Sequence, residues 1–337
     1  MKAYHIGAQA GISSLTAVEV PEPKVTPGNV IVRVKMVCLN HRDVRIICGE
    51  YGPKRPADRI PNSEGVGCVE EVGSDVTGFV KGDRVIAPHF VSWSRGPFFQ
   101  AVFARDVGVT EDGWLAEFVS IPASALVKVP DSLSDQQVVP LSAAGLTAWN
   151  ALVEIGKIKA GDKVVTLGTG GVSIAAMQIA KMHGAKVCVT SSSDEKLDAA
   201  KRLGADVTVN YRETPEWGAA VFDALNGGAD IVVDTAGQAT LAQSINAAAP
   251  LGRIAIIGAL AGAATTGLAN YGSIIGKNLG LYGVAAGSRE MLCALVNAAA
   301  ENQIEPVIDR VFPFEQTPEA YSYLEAGGHM GKVLVEL

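Results

Sequence analysis

Two rhythms of apolar residues divide the chain. Up to about residue 128 the apolar positions come in short, glycine-punctuated runs. Val30, Val32 and Val34 recur at every second position of NVIVRVK, and GVGCVEEVG and GDRVIAP follow. A period of two puts alternate side chains on one face of a half-buried strand, so this region is predicted to be β-rich. From about 129 the rhythm changes. KVVTL, KVCVT, DVTVN, DIVVDTAG and RIAIIG are strand-like, and between them lie IAAMQIAKMHG, DEKLDAAKRLG, the segment around Trp217 to Leu225 and QATLAQSINAAAP, with helical spacing. Such alternation predicts a parallel sheet with helices on both faces. After about 287 a helix, REMLCALVNAAAENQ, and a strand, GKVLVEL, are predicted to return to the first domain. The expected fold class is α/β: a β-rich domain over 1–128 and 287–337, and a doubly wound parallel-sheet domain over 129–286.

Composition narrows the function. With 337 residues, 48% hydrophobic and 19% charged, the chain is long enough for two folded domains and too apolar to be disordered. Its 28 Lys+Arg against 35 Asp+Glu give a net charge of -7, which disfavours nucleic acid or an anionic membrane as partner. The N-terminal MKAYHIGAQAG lacks the apolar core of a secretory signal, so a cytoplasmic protein is expected. Cys38, Cys48, Cys68, Cys188 and Cys293 are scattered and form no CxxC, which suits reduced, buried thiols.

The candidate chemistry begins at GTGGVS, residues 168–173, between KVVTL and the helix-like IAAMQIAKMHGA. A glycine-rich turn that follows a strand and opens a helix aims backbone amides at a pyrophosphate. Gly168 suits the tight turn and Gly170 the close approach of backbone to phosphate. Thr169, Gly171 and Val172 complete the loop. The third glycine position, which serves helix-on-strand packing, is Ser173, whose hydroxyl is small enough to fit and is a candidate phosphate donor. The ribose position about 20 residues on is Ser191, where NAD-binding folds place an acid. Ser192, Lys196 and Tyr211 lie nearby. Hydroxyls and an ammonium accept a 2′-phosphate that a carboxylate would repel, so the expected cofactor is NADP(H). Asp194 and Glu195 are the rival acids, and suit the first turn of the next helix.

Over essentially its whole length the chain resembles the medium-chain dehydrogenase/reductase superfamily. LNHRDVRIICGEY, RIPNSEGVGCVEEVGSDVTGFVKGDRV, PLSAAGLTAWNAL, GDKVVTLGTGGVSIAAMQIAK, GADVTVNY, GRIAIIG and HMGKVLVEL carry the resemblance. It implies a chaperonin-10-like (GroES-like) β domain, a Rossmann domain and an active site in the cleft between them. Zinc-dependent members place cysteine, histidine and cysteine where this chain has Asn40, Ser63 and Ala143, and only Glu64 remains of that shell. Amide, hydroxyl and methyl groups are poor zinc ligands, so no catalytic zinc is expected. The segment from Pro88 to Glu117 holds no cysteine, so no structural zinc is expected either. A shifted site on Cys38, His41 and Glu64 is disfavoured, because strand positions of odd and even spacing face opposite ways.

Without a metal, hydrogen bonds worth about 3 kcal/mol each replace roughly 10 kcal/mol of charge stabilisation. That favours acceptors whose reduced anion is already delocalised. The chain accordingly resembles the zinc-free quinone oxidoreductase-like branch, which implies Asn40 and Thr147 beside nicotinamide and substrate. The plainer roles are a capping asparagine and a helix threonine bonded to its own backbone. Tyr51 is either a proton donor or an aromatic wall, and His41 and Arg42 face either cofactor phosphates, the bound carbonyl or solvent. The resemblance also places Thr235 and Ala236 of DTAG, Ile257 and Gly258 of IIGAL, Val284 and Lys332 near the nicotinamide half of the cofactor, where small residues are equally required by tight turns. His41 replaces a proline common in that branch, and HFVSWSRGPFFQAVFARD is a longer insertion. In it Trp93, Phe98, Phe99 and Phe103 form either a lid or local packing.

The expected activity is NADPH-dependent, zinc-independent hydride transfer to a small-molecule electrophile such as a quinone or α,β-unsaturated carbonyl. The alternatives are a zinc-independent alcohol dehydrogenase or carbonyl reductase, and a non-catalytic NADP(H)-binding sensor or structural protein. A homodimer is expected through an edge strand at NLGLYGV.

Overall fold

The computed structural model describes residues 1–258 and 269–337, in two compact units: Met1–Leu146 with Gly287–Leu337, and Thr147–Ala286. In the first, β1 (Lys2–His5) and β2 (Thr16–Glu19) form an antiparallel pair. The long β3 (Asn29–Cys38) leads through Asn40 into α1 (His41–Ile47), followed by β4 (Gly65–Val72), β5 (Arg84–Ile86), β6 (Phe118–Pro122), β7 (Val127–Lys128) and α2 (Asp135–Val138). The period-two valines Val30, Val32 and Val34 of β3 are all buried, in one core with Trp114, Leu115, Ile121 and Tyr321. α2 packs on β3 and β4, so the chain beyond 128 stays with this unit, and the break falls inside α3 (Ala144–Trp149).

The second unit alternates as its periodicity predicts: β8 (Lys163–Leu167), α4 (Gly171–Met182), β9 (Lys186–Ser191), α5 (Asp194–Arg202), β10 (Val207–Asn210), α6 (Trp217–Ala224), β11 (Ala229–Asp234), α7 (Leu241–Ala247), β12 (Ala248–Ile256), α8 (Tyr271–Lys277) and β13 (Gly280–Gly283). Among the described residues its six strands run parallel in the order β10-β9-β8-β11-β12-β13. The order reverses between β8 and β11, the switch point at which doubly wound sheets bind ligands.

The chain then returns to the first unit through α9 (Arg289–Glu301), β14 (Ile308–Pro313), α10 (Thr317–Glu325) and β15 (Lys332–Glu336). β15 pairs antiparallel with β3, Leu334 opposite Cys38. Extending that register by two residues brings Lys332 opposite Asn40. Among the described residues no single helix is long and apolar enough to cross a membrane.

Candidate active site

In the first unit, α1 starts where β3 ends. Asn40 is its N-cap, in extended backbone, and its N–H donates to Asp43 Oδ2 at 3.0 Å. The Asn40 side chain also bonds to residues outside the helix. Its Nδ2 donates to Glu64 Oε2 at 2.8 Å, and its Oδ1 accepts from Lys332 Nζ at 2.6 Å. Glu64, fully buried, also accepts the Ala143 N–H on Oε1 at 2.6 Å. Lys332 is 5% exposed, and its ammonium further donates to Leu39 O at 2.9 Å and Glu64 Oε2 at 3.2 Å. Burial opposes that charge, but its neighbours Cys38 and Glu64 outweigh the penalty, holding the Lys332 pKa above its ordinary value. The resemblance had placed Lys332 over the cofactor. Here its three protons meet three protein acceptors.

Beside this cluster, Asp43 is fully buried and accepts from Ser63 Oγ at 2.9 Å. Burial pushes its carboxyl up to about 6, against the lowering by Arg42 and the Ser63 hydrogen bond. Arg42 donates from Nη2 to Asp106 Oδ2 at 2.7 Å and lies 5.3 Å from the centre of the Tyr51 ring. Arg42 Nε and Nη1, Asp106 Oδ1 and His89 Nδ1 are buried without a partner among the described residues. Such orphans call for a water or a ligand atom. Burial, and then Arg42, hold the His89 imidazole well below its usual pKa, so it is neutral. His41 is exposed and Tyr51 is 36% exposed. In the aromatic insertion Trp93 and Phe90 are each 2% exposed, whereas Phe98, Phe99 and Phe103 are 43–47% exposed, so of the four candidate lid residues the tryptophan is packed inward and the three phenylalanines are not.

In the second unit, β8 runs into the glycine loop. Gly168 has φ +79°, which favours glycine, and a Cβ at Gly168 or Gly170 would meet nothing within 4 Å. Gly170 caps α4, with Gly171 and Val172 half-buried in its first turn and Thr169 buried. Ser173 donates to Leu167 O at 2.6 Å, as Thr235 Oγ1 does at 2.9 Å. The Ser173 hydroxyl therefore ties helix to strand. Ser191 ends β9, 4% exposed, and accepts the Ser193 N–H at 3.3 Å. Ser192 and Lys196 are half-buried, and the backbone N–H of the exposed Tyr211 donates to Ser191 O. Asp194 accepts from Asn210 Nδ2 at 2.8 Å in the first turn of α5, as a helix acid does. Gly258 is needed for packing, since a Cβ would lie 1.9 Å from Thr235 O. Ile257 and Val284 follow β12 and β13, and Ala236 donates its N–H to Asp234 Oδ1. Ala259 and Leu260 of IIGAL lie outside the described residues. Thr147, 8% exposed, lies on α3.

Residues 26–131 match the alcohol dehydrogenase GroES-like domain, and residues 171–301 the family described as zinc-binding dehydrogenase. A zinc-type alcohol dehydrogenase-like protein of Schizosaccharomyces pombe is 41% identical, over 95% of this chain and 93% of its own length. The chain belongs to the medium-chain dehydrogenase/reductase superfamily. An acryloyl-coenzyme A reductase of Sulfurisphaera tokodaii is 31% identical over 94% of this chain and 95% of its own length. Two solved structures cover all of the chain. One is a putative alcohol dehydrogenase from Sinorhizobium meliloti, with 39% identity, a TM-score of 0.92 and 98% of that chain covered. The other, an NAD-dependent alcohol dehydrogenase, has 33% identity, a TM-score of 0.91 and 100% of that chain covered.

In this dehydrogenase/reductase the residues at the zinc-ligand positions do not fit a zinc ion. The Asn40 amide is held between a carboxylate and an ammonium, the Ser63 hydroxyl donates to Asp43, and Ala143 presents a backbone N–H. Among the described residues no three His, Cys, Asp or Glu side chains could hold a metal. A dinucleotide fits better, because the backbone of Gly168 and Gly170 faces open space at the start of a twelve-residue helix.

Sequence reasoning named Glu64 and Lys332 but not their bonds to Asn40, and it missed Asp43, Asp106 and His89. Asp43, three residues after Asn40, has the spacing of a capping acid and could have been found. Lys332, Asp106 and His89 carry no local signal, because only the β3–β15 register and the folded insertion bring them in.

Proposed function

We propose that this chain is a zinc-independent reductase that uses NADPH to reduce an activated acceptor, a quinone or an α,β-unsaturated carbonyl. The observation that carries it is the Asn40–Glu64–Lys332 cluster. Asn40 stands where the resemblance implies a zinc-ligating cysteine, and its amide is bonded to a carboxylate and an ammonium, which supports stabilisation of the reduced acceptor by hydrogen bonds alone. Delocalised enolates and phenolates need the least such help. The acryloyl-coenzyme A reductase relative supports the unsaturated carbonyl.

The bound nicotinamide supplies the hydride. Gly168 to Val172 would receive the pyrophosphate, and Ser191, Ser192, Lys196 and Tyr211 the ribose and its 2′-phosphate. Thr235, Ala236, Ile257, Gly258 and Val284 end the neighbouring strands at the same edge of the sheet. Asn40 donates to the acceptor oxygen, Tyr51 and Thr147 are the further candidates for contact with the substrate, and water or Tyr51 returns the proton. The protein is proposed to pair as a homodimer through β13, an edge strand with Tyr282 exposed, beside Tyr271 and Ile275 of α8, 77% and 78% exposed.

The test is coenzyme consumption with a panel of quinones, enones and simple alcohols, under NADPH and NADH in parallel. NADPH oxidation by quinones or enones is expected. Alcohol oxidation without enone reduction would favour an alcohol dehydrogenase, and binding without turnover a sensor. Light scattering reads the dimer.

A further inference from the structure

Lys332 and Asn40 are 292 residues apart in sequence, and their side chains are 2.6 Å apart. We propose that Lys332 is a positioning residue that fixes the Asn40 carboxamide as a hydrogen-bond donor toward the oxygen of the reduced acceptor.

The ammonium has three N–H bonds, and Leu39 O, Asn40 Oδ1 and Glu64 Oε2 accept them. It has none left for a cofactor phosphate or a substrate. Its influence passes through Asn40, the member of the cluster that reaches the surface: Asn40 is half-buried, whereas Lys332 and Glu64 are buried.

An asparagine amide can be turned end for end at little steric cost, exchanging a donor for an acceptor. Here the charges forbid that exchange. A turned amide would set its carbonyl against the Glu64 carboxylate and its NH2 against the Lys332 ammonium, replacing two charge-assisted hydrogen bonds with two repulsive contacts. In the fixed orientation one Nδ2 hydrogen goes to Glu64, and the other has only Cys38 O, 3.5 Å away at the limit of hydrogen bonding. That second hydrogen is the group the cluster offers to an incoming oxygen. A negative charge developing on that oxygen therefore meets an N–H and not a lone pair, with a fixed cation behind the amide. Glu64 holds the other end and receives the Ala143 N–H, so the carboxylate cannot swing away.

The role rests on Asn40 donating to the acceptor, so the test has an arm that needs no turnover. The Asn40 side-chain NH2 is assigned in a 1H–15N spectrum by its loss in Asn40→Ala. In the native protein and in Lys332→Arg its two proton signals are expected outside the shift range of a solvent-exposed asparagine and slow to exchange with water, and in Lys332→Met to move into that range and exchange fast. Should Lys332→Met not fold, Lys332→Gln removes the charge and keeps a polar partner. Unchanged amide signals in the uncharged variant would overturn the lock. In the second arm kcat is followed across enones and quinones whose reduced oxygens differ in basicity. The loss in the uncharged variant should grow from about tenfold to about 100-fold as the oxygen becomes more basic, with Arg restoring most of it and the KM for NADPH unchanged. A uniform loss, or a raised KM for NADPH with kcat intact, would overturn the role in catalysis. If no acceptor is turned over by the native protein, the proposed activity fails while the spectrum still decides the lock.

Discussion

The polar cluster at the start of α1 and the glycine loop at the start of α4 both stand at a strand-to-helix turn, and they are built in opposite ways. Around Asn40 the charged and polar groups are buried and bonded to one another: Glu64 to Lys332, Lys332 to Asn40, Asp43 to Ser63. Around Gly168 and Gly170 there is bare backbone facing open space. The first region is held by long-range contacts between charges and is costly to disturb. The second is held by local backbone geometry and keeps its hydrogen-bonding capacity for a ligand. Substitution should therefore unfold one and disarm the other.

The largest effect should come from splitting the charge pair. Lys332→Met leaves a fully buried carboxylate without its cation and should lower unfolding free energy by about 3–5 kcal/mol in urea denaturation. Adding Glu64→Gln should recover more than half of that loss. If the single substitution proves neutral, the cluster is not a charge-locked core.

A titration probes the same region without mutation. Burial raises the Asp43 pKa to about 6 in the folded state from the ordinary aspartate value of 3.8, so between these values the folded protein binds more protons than the unfolded one. Stability from this group is greatest below about pH 4 and falls as pH rises towards 6, by about 3 kcal/mol in all. Asp43→Asn should flatten that part of a stability profile. A profile unaltered by the substitution would place the titration elsewhere.

The same substitution at two glycines of the second unit sharpens the contrast. Gly258→Ala drives a Cβ into Thr235 O and should cost about 1–3 kcal/mol of stability. Gly170→Ala, at φ −75° with open space around it, should cost under about 1 kcal/mol at an N-cap, yet weaken coenzyme binding by about tenfold or more in a calorimeter. Equal effects of the two on coenzyme affinity would contradict a phosphate cradle at Gly170. The smallest effect is one of preference: Ser191→Asp should shift the NADPH-to-NADH ratio of kcat/KM towards NADH by about tenfold, through repulsion of the 2′-phosphate.

The contrast also explains what was legible in the sequence. KVVTL, GTGGVS and IAAMQIAK specify strand, turn and helix from neighbours alone, and the doubly wound unit follows from that local pattern. The β-rich unit was legible as a class through the alternating valines of β3. The stretch from 129 to 146 changes rhythm in sequence and still packs with the first unit, because α2 lies on β3 and β4. Asn40, Glu64 and Lys332 could each be singled out, but not their bonds to one another. Lys332 meets Asn40 only because β15 closes on β3 with Leu334 opposite Cys38, and no periodicity near either residue encodes that register. Ser173 was found for its place in the loop, while its bond to Leu167 O depended on how α4 sits over β8.

Hydride transfer without a metal is the central expectation for this protein. The direct measurement is NADPH oxidation by an enone or quinone in protein stripped with a strong chelator, with metal content read on the same sample. Undiminished turnover at substoichiometric metal is predicted. Activity lost on stripping and restored by stoichiometric zinc would contradict it.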